Sequence, residues 1–419
     1  MLTSAVDGAP RRRPDPATKK TATELGALGT ALGALASVIL AGALALVLHT
    51  LAQQSPRLGP AFEGWAASVT NSPFDAVRWF LGDMTEPLFY KSELAACGLL
   101  AGALLAWWAG RRGKNWAAQL TYGTGLWPWV LASASLSLLL SNVVFGRMLD
   151  AGWQPTFVPF VCVAPAMVLM YGPGWRTSLT GAVLGAFTIT PCALLLIPTV
   201  SAPLGLPPVV ANVLAMSLGS VLAFLIARKL PWLVLHKPAA PPALQPQPSQ
   251  PTSGVNRVLK DAVWASRRVL SDFTETQFFA NELASAGLIL GVAVAFVLNP
   301  ALPAYGSNLV PHILFAQALT SAVGVVLWRS WFRSGQFSNG GWAATYASLV
   351  SVAPAAVLAY DGSWWSIIGG AFLGAVLAPP IARAISARLP DGFHPVIGNT
   401  ASMAISTAVT LPILGLLPH

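Results

Sequence analysis

Apolar runs of about 20 residues recur along the chain, separated by short polar segments. That is the pattern of helices that cross a bilayer. A window of that width places spans at about 25–52, 81–109, 116–145, 156–172, 177–198 and 209–230, then at 278–299, 309–330, 341–360, 364–386 and 395–416. The pattern predicts an all-α, polytopic membrane protein of about 11 transmembrane helices, grouped as one plus five plus five. Residues 1–24 form a basic tail, 25–52 an extra N-terminal helix, and 53–80 an external interfacial segment with aromatic residues Phe62, Trp65, Phe74, Trp79 and Phe80 among polar ones. Residues 81–235 make a first repeat and 257–419 a second, joined by a Pro-rich linker at 236–256 that cannot bury a core.

Composition narrows the class. Hydrophobic residues make up 55% and charged residues 9%, against about 25% charged in soluble proteins, which excludes a soluble enzyme. Cys97, Cys162 and Cys192 lie in apolar runs without metal-ligand spacing, so neither a disulfide framework nor a metal site is expected. The net charge of +9 is scattered among the connecting segments, without a nucleic-acid-reading motif, and membrane lipids with anionic headgroups are the expected partners. No Walker A loop, GxSxG elbow, HExxH or dinucleotide fingerprint is present, so no cofactor and no enzymatic activity is expected.

Charge also orients the chain. With a cytoplasmic N-terminus, all of the 24 Lys and Arg residues except Arg57, Arg78, Lys91 and Arg147 fall on the inner side, as the positive-inside rule requires. A plasma-membrane protein with an external C-terminus follows.

The two halves are copies. Sliding the second over the first by 189 positions aligns Asp83, Thr85, Glu86, Phe89, Glu93, Leu94, Ala95 and Gly98 with Asp272, Thr274, Glu275, Phe278, Glu282, Leu283, Ala284 and Gly287. The same offset joins Gly152-Trp153 to Gly341-Trp342, Val163-Ala164-Pro165-Ala166 to Val352-Ala353-Pro354-Ala355, and Gly181, Gly185 and Pro191 to Gly370, Gly374 and Pro380. An offset of 187 matches Asn212 and Met216 with Asn399 and Met403, and one of 183 matches Tyr122 with Tyr305. Because five crossings is an odd number, the copies must insert with opposite polarity, giving a 5+5 inverted repeat with broken helices. Transport paths of such bundles lie on the pseudo-twofold axis.

Candidate path residues follow from the cost of polar groups in lipid. Glu93 and Glu282 read as several residues inside their apolar helices, with Glu86 and Glu275 two turns earlier on the same face. Bracing a neighbouring helix is as consistent with these carboxylates as lining a path. Asn212 and Asn399 open helices after a proline, where they could bind solute or join helices. His312 and Gln317 have no polar counterpart in the first repeat and break its symmetry, a place for proton coupling or solute preference.

The segment Asp272-Phe-Thr-Glu-Thr-Gln-Phe-Phe-Ala-Asn-Glu-Leu-Ala-Ser-Ala-Gly and its copy at Asp83 resemble the Phe-rich, Asn/Gln-containing segment that opens each half of urea transporters. The resemblance covers about 16 residues per half and the two-times-five plan, without the family's full paired-Asn-Pro element. It implies a continuous solute channel in each subunit and a homotrimer. The glutamates in both halves suit a cation, an amine or a proton-coupled solute as well as a neutral amide. The sequence thus points to a channel or secondary transporter for a small polar solute, in a homo-oligomer (dimer or trimer). The alternatives are a membrane scaffold or lipid-handling protein without solute flux, and an intramembrane enzyme, for which no residue pattern asks.

Overall fold

A computed structural model describes residues 16–114, 116, 119–146, 148, 155–236, 254–333 and 343–417, helical with no strand among them. In chain order the helices are α1 (Pro16–Ala52), α2 (Phe62–Ser68), α3 (Pro73–Asp83), α4 (Glu93–Arg111), α5 (Trp127–Phe145), α6 (Val163–Tyr171), α7 (Trp175–Leu196) and α8 (Pro208–Ala227). The second half holds α9 (Gly254–Asp272), α10 (Glu282–Leu298), α11 (Val310–Leu327), α12 (Arg329–Arg333), α13 (Tyr346–Leu349), α14 (Val352–Ala359), α15 (Trp364–Ser386) and α16 (Val396–Leu414). Eight of the described helices are long and apolar enough to cross a membrane: α1, α4, α5, α7, α8, α11, α15 and α16. This is a helical membrane protein.

Three expected crossings are shorter than a full span. Residues 282–298 form the 17-residue α10. The runs at 156–172 and 341–360 are each broken in two, a one-turn helix (Val158–Val161 in one, α13 in the other) leading into the short α6 or α14. The break falls on Cys162 (φ −142°, ψ −93°) and Ser351 (φ −141°, ψ −83°), which are 189 positions apart. Hydropathy registers only that both runs are apolar. The backbone interruption at their middle leaves no trace in it.

Two further expectations change. The segment at 53–80 holds two short helices and not one, α2 and the start of α3, whose Trp65 and Trp79 are buried against Phe62 and Leu302, while Phe74 is exposed. Residues 257–272, which lie ahead of the first crossing expected in the second repeat, belong to the amphipathic α9, which packs along α1 and buries Arg268. The basic tail up to residue 15, nearly all of the linker, Arg147, and the Gly152-Trp153 and Gly341-Trp342 pairs lie outside the described residues.

The two halves meet at α4 and α10. A Cβ on Gly98 would lie 2.0 Å from the Gly287 carbonyl oxygen, and one on Gly287 would lie 2.1 Å from that of Gly98. Only glycine permits backbones this close. Gly102 faces Leu283 and Gly291 faces Leu94, so residue numbers rise in one helix as they fall in the other. The equivalent helices therefore run antiparallel. Main-chain bonds tie the halves again: Thr121 N–H donates to the Phe279 carbonyl at 2.9 Å, and Ala304 N–H donates to that of Tyr90 at 2.8 Å. By the repeat offsets these are the same bond made twice.

Candidate functional site

Between α3 and α4, and again between α9 and α10, the chain makes a buried loop that both halves build alike. Thr85 donates its hydroxyl to the Ser92 carbonyl and accepts from the Ser92 amide; Thr274 does the same with Asn281. Ser92 and Asn281 then cap α4 and α10 by accepting from backbone N–H groups. Phe89 and Lys91 have φ of 67° and 43°, matched by 62° and 46° at Phe278 and Ala280. Four non-glycine residues in the left-handed region, at equivalent places, are held there by these bonds.

Each loop encloses a charge cluster. In the first half, Lys91 forms ion pairs with Asp83 and with Glu86 (2.6 Å), all three buried, and its Nζ lies 3.6 Å from the centre of the Trp79 ring. Asp83 also accepts from Asn142 (2.8 Å) and Thr156 (2.7 Å), and Glu86 from the Tyr305 hydroxyl at 3.3 Å. In the second half, Arg268 pairs with Asp272 (2.5 Å) and Glu275, and Ser321 donates to Asp272. Charges this far from water persist because each carboxylate has a cation or hydrogen-bond donor beside it.

A cavity of about 340 Å³ adjoins these loops, within the size range of small-molecule sites. Its wall contains six pairs of repeat-equivalent residues: Pro87 and Thr276, Phe157 and Tyr346, Val161 and Val350, Val209 and Val396, Val213 and Thr400, Met216 and Met403. Glu86, Phe89, Asn212 and Tyr305 add to it, and among the described residues no Lys, Arg or His does. The wall is mostly apolar, with hydroxyls, one amide and one carboxylate.

The sequence-predicted residues divide between cavity and frame. Glu86 and Asn212 line the cavity. Glu275 is buried beside lining residue Thr276, and Asn399 donates its amide to the hydroxyl of lining residue Tyr346 at 2.8 Å. Glu93 and Glu282, expected inside their helices and on the path, are instead the first residues of α4 and α10. Neither is on the cavity wall. Each pairs with the arginine 15 positions earlier, Arg78 at 2.6 Å and Arg267 at 2.7 Å, and a carboxylate there also suits the positive end of the helix dipole. Gln317 accepts from the Tyr90 hydroxyl (2.6 Å) and donates to the Leu88 and Leu349 carbonyls (3.1 Å each), a brace behind the wall. His312 is half-buried, packs near Gly362 and is likewise off the wall.

No protein-family model matches this chain, and neither does any curated protein. Residues that the sequence reading did not single out include Phe157, Tyr346 and Thr276 on the wall and Arg268 behind it. The duplication was the available signal, since the positions aligned with Phe157 and Thr156 are Tyr346 and Thr345. Among the described residues no group of three or more His, Cys, Asp or Glu side chains is placed to hold a metal ion.

Proposed function

We propose that the protein is a membrane channel or secondary transporter for a small polar solute, whose path runs between two inverted repeats of five crossings each. In this reading the repeats are α4–α8 and α10–α16. The broken α6 and α13–α14 segments count as crossings, α3 and α9 enter part-way ahead of each repeat, and α1 is an added helix. The N-terminus is cytoplasmic. The observation that carries the proposal is the composition of the cavity wall: a void lined by the same positions of both copies lies on the relation between them, where inverted-repeat transporters hold solute. The antiparallel crossing of α4 and α10 supports the inversion, and broken apolar segments are tolerated at membrane depth where protein or a wet cavity surrounds them.

The test is solute flux into proteoliposomes, with the cavity narrowed from either side. Met216→Trp and Met403→Trp enlarge equivalent wall residues, and each should abolish flux while the protein still elutes as a folded species. Undiminished flux through both folded variants, or no flux of any small polar solute by the parent protein, refutes the reading.

A further inference from the structure

Resting on that reading, we infer that the cavity takes a small organic ammonium ion and that Asn212 is the residue that grips it. The symmetry of the two halves breaks at the cavity wall. In the second half, Asn399 donates its amide to the Tyr346 hydroxyl. In the first half, Asn212 stands where Asn399 does and Phe157 stands where Tyr346 does, so the hydroxyl is missing. Asn212 is only 3% exposed, lies on the cavity wall, and its amide oxygen has no hydrogen-bond partner. A buried acceptor left open is unfavourable unless something in the cavity donates to it.

The rest of the wall selects what that donor belongs to. It carries the Glu86 carboxylate and, among the described residues, no basic side chain, so an anion would meet charge of its own sign. Behind it, the first cluster sets two carboxylates, Asp83 and Glu86, against the single cation of Lys91. The aromatic residues Phe89, Phe157, Tyr305 and Tyr346 line the same space, and aromatic rings attract cations. An ammonium group supplies N–H donors and no acceptor, matching an open acceptor on a wall that also carries the Glu86 carboxylate. The valine and methionine pairs leave room for an apolar body.

The test uses three probes of one carbon frame. Benzylamine (protonated at pH 7.5), benzyl alcohol and benzoate are titrated calorimetrically into the purified protein. The ammonium form should bind tightest and benzoate not at all. Asn212→Leu removes the open oxygen and should weaken benzylammonium binding about fivefold, the equivalent of one hydrogen bond, without lowering the melting temperature. Phe157→Tyr supplies only a hydroxyl of the kind that accepts from the amide N–H in the second half, and should leave the affinity unchanged. Benzyl alcohol or benzoate binding as tightly as the ammonium ion overturns the assigned class. Unchanged affinity in folded Asn212→Leu, or weakened binding in Phe157→Tyr, overturns the role of the Asn212 oxygen. If none of the probes binds while other solutes still cross proteoliposomes, this inference fails and the proposed passage stands.

Discussion

The two charge clusters use the same acids but take their cation from different places in the chain. Asp83 and Glu86 correspond to Asp272 and Glu275, yet the position of Arg268 is held in the first half by Trp79, and that of Lys91 is held in the second by Ala280. In the first half the lysine comes from the end of the loop itself and lies over the Trp79 ring; in the second the guanidinium comes from α9, ahead of the loop. The comparison shows that a positive charge between the two carboxylates is retained and the residue bearing it is not. Physically this follows from the cost of two unpaired carboxylates away from water, which any cation that reaches them relieves.

The largest expected effect comes from removing such a cation. Lys91→Ala leaves Asp83 and Glu86 side by side and buried, and should destabilise the protein by about 3–5 kcal/mol, read as a lowered melting temperature in detergent. Next is the crossing that places the clusters: Gly98→Leu and Gly287→Leu each drive a side chain into the opposing carbonyl and should cost about 3 kcal/mol. The two losses should be alike, because the contact is reciprocal; very different values would mean that the halves do not meet symmetrically. A sharper probe rebuilds the second cluster in the manner of the first. Arg268→Trp alone should destabilise strongly, and adding Ala280→Lys should recover about 2 kcal/mol of the loss, since Ala280 already has the backbone conformation of Lys91. No recovery would show that the side chain, and not its charge, is what the site requires. The smallest effects belong to the outer pairs. Glu93→Gln should cost about 1 kcal/mol and Glu282→Gln less, because Arg267 is half exposed where Arg78 is largely covered. Both variants should retain solute flux, and loss of flux from either would return these glutamates to the path.

Much of the frame was legible in the sequence. Apolar length located eight full spans, and the duplication aligned Thr85 with Thr274, whose hydrogen bonds are indeed the same. The glutamates show where hydropathy stops. The apolar run containing Glu93 begins near residue 81, but the chain leaves the helix at Asp83 and resumes it at Glu93. The intervening loop is folded by Thr85 and by backbone at positive φ, neither of which changes an average over 20 residues. Amphipathic α9 was missed for the opposite reason: its charged face outweighs its apolar one, so Arg268 was counted with a polar connection when it is buried. Gln317 stood out for its lack of symmetry, whereas the substitution of Phe157 for Tyr346, the asymmetry that touches the cavity, changes one hydroxyl in an aromatic residue and is invisible to polarity.

The paired main-chain bonds from Thr121 to Phe279 and from Ala304 to Tyr90 bear on how such a molecule could work. They stitch each copy to the opening loop of the other, so a stroke that swings one copy past its twin has to undo both stitches together, besides parting the glycine seam. Movement that leaves them intact is confined to side chains and to the short broken segments around the void. If the proposed passage opens and closes, the frame stays still and those short segments are what shift.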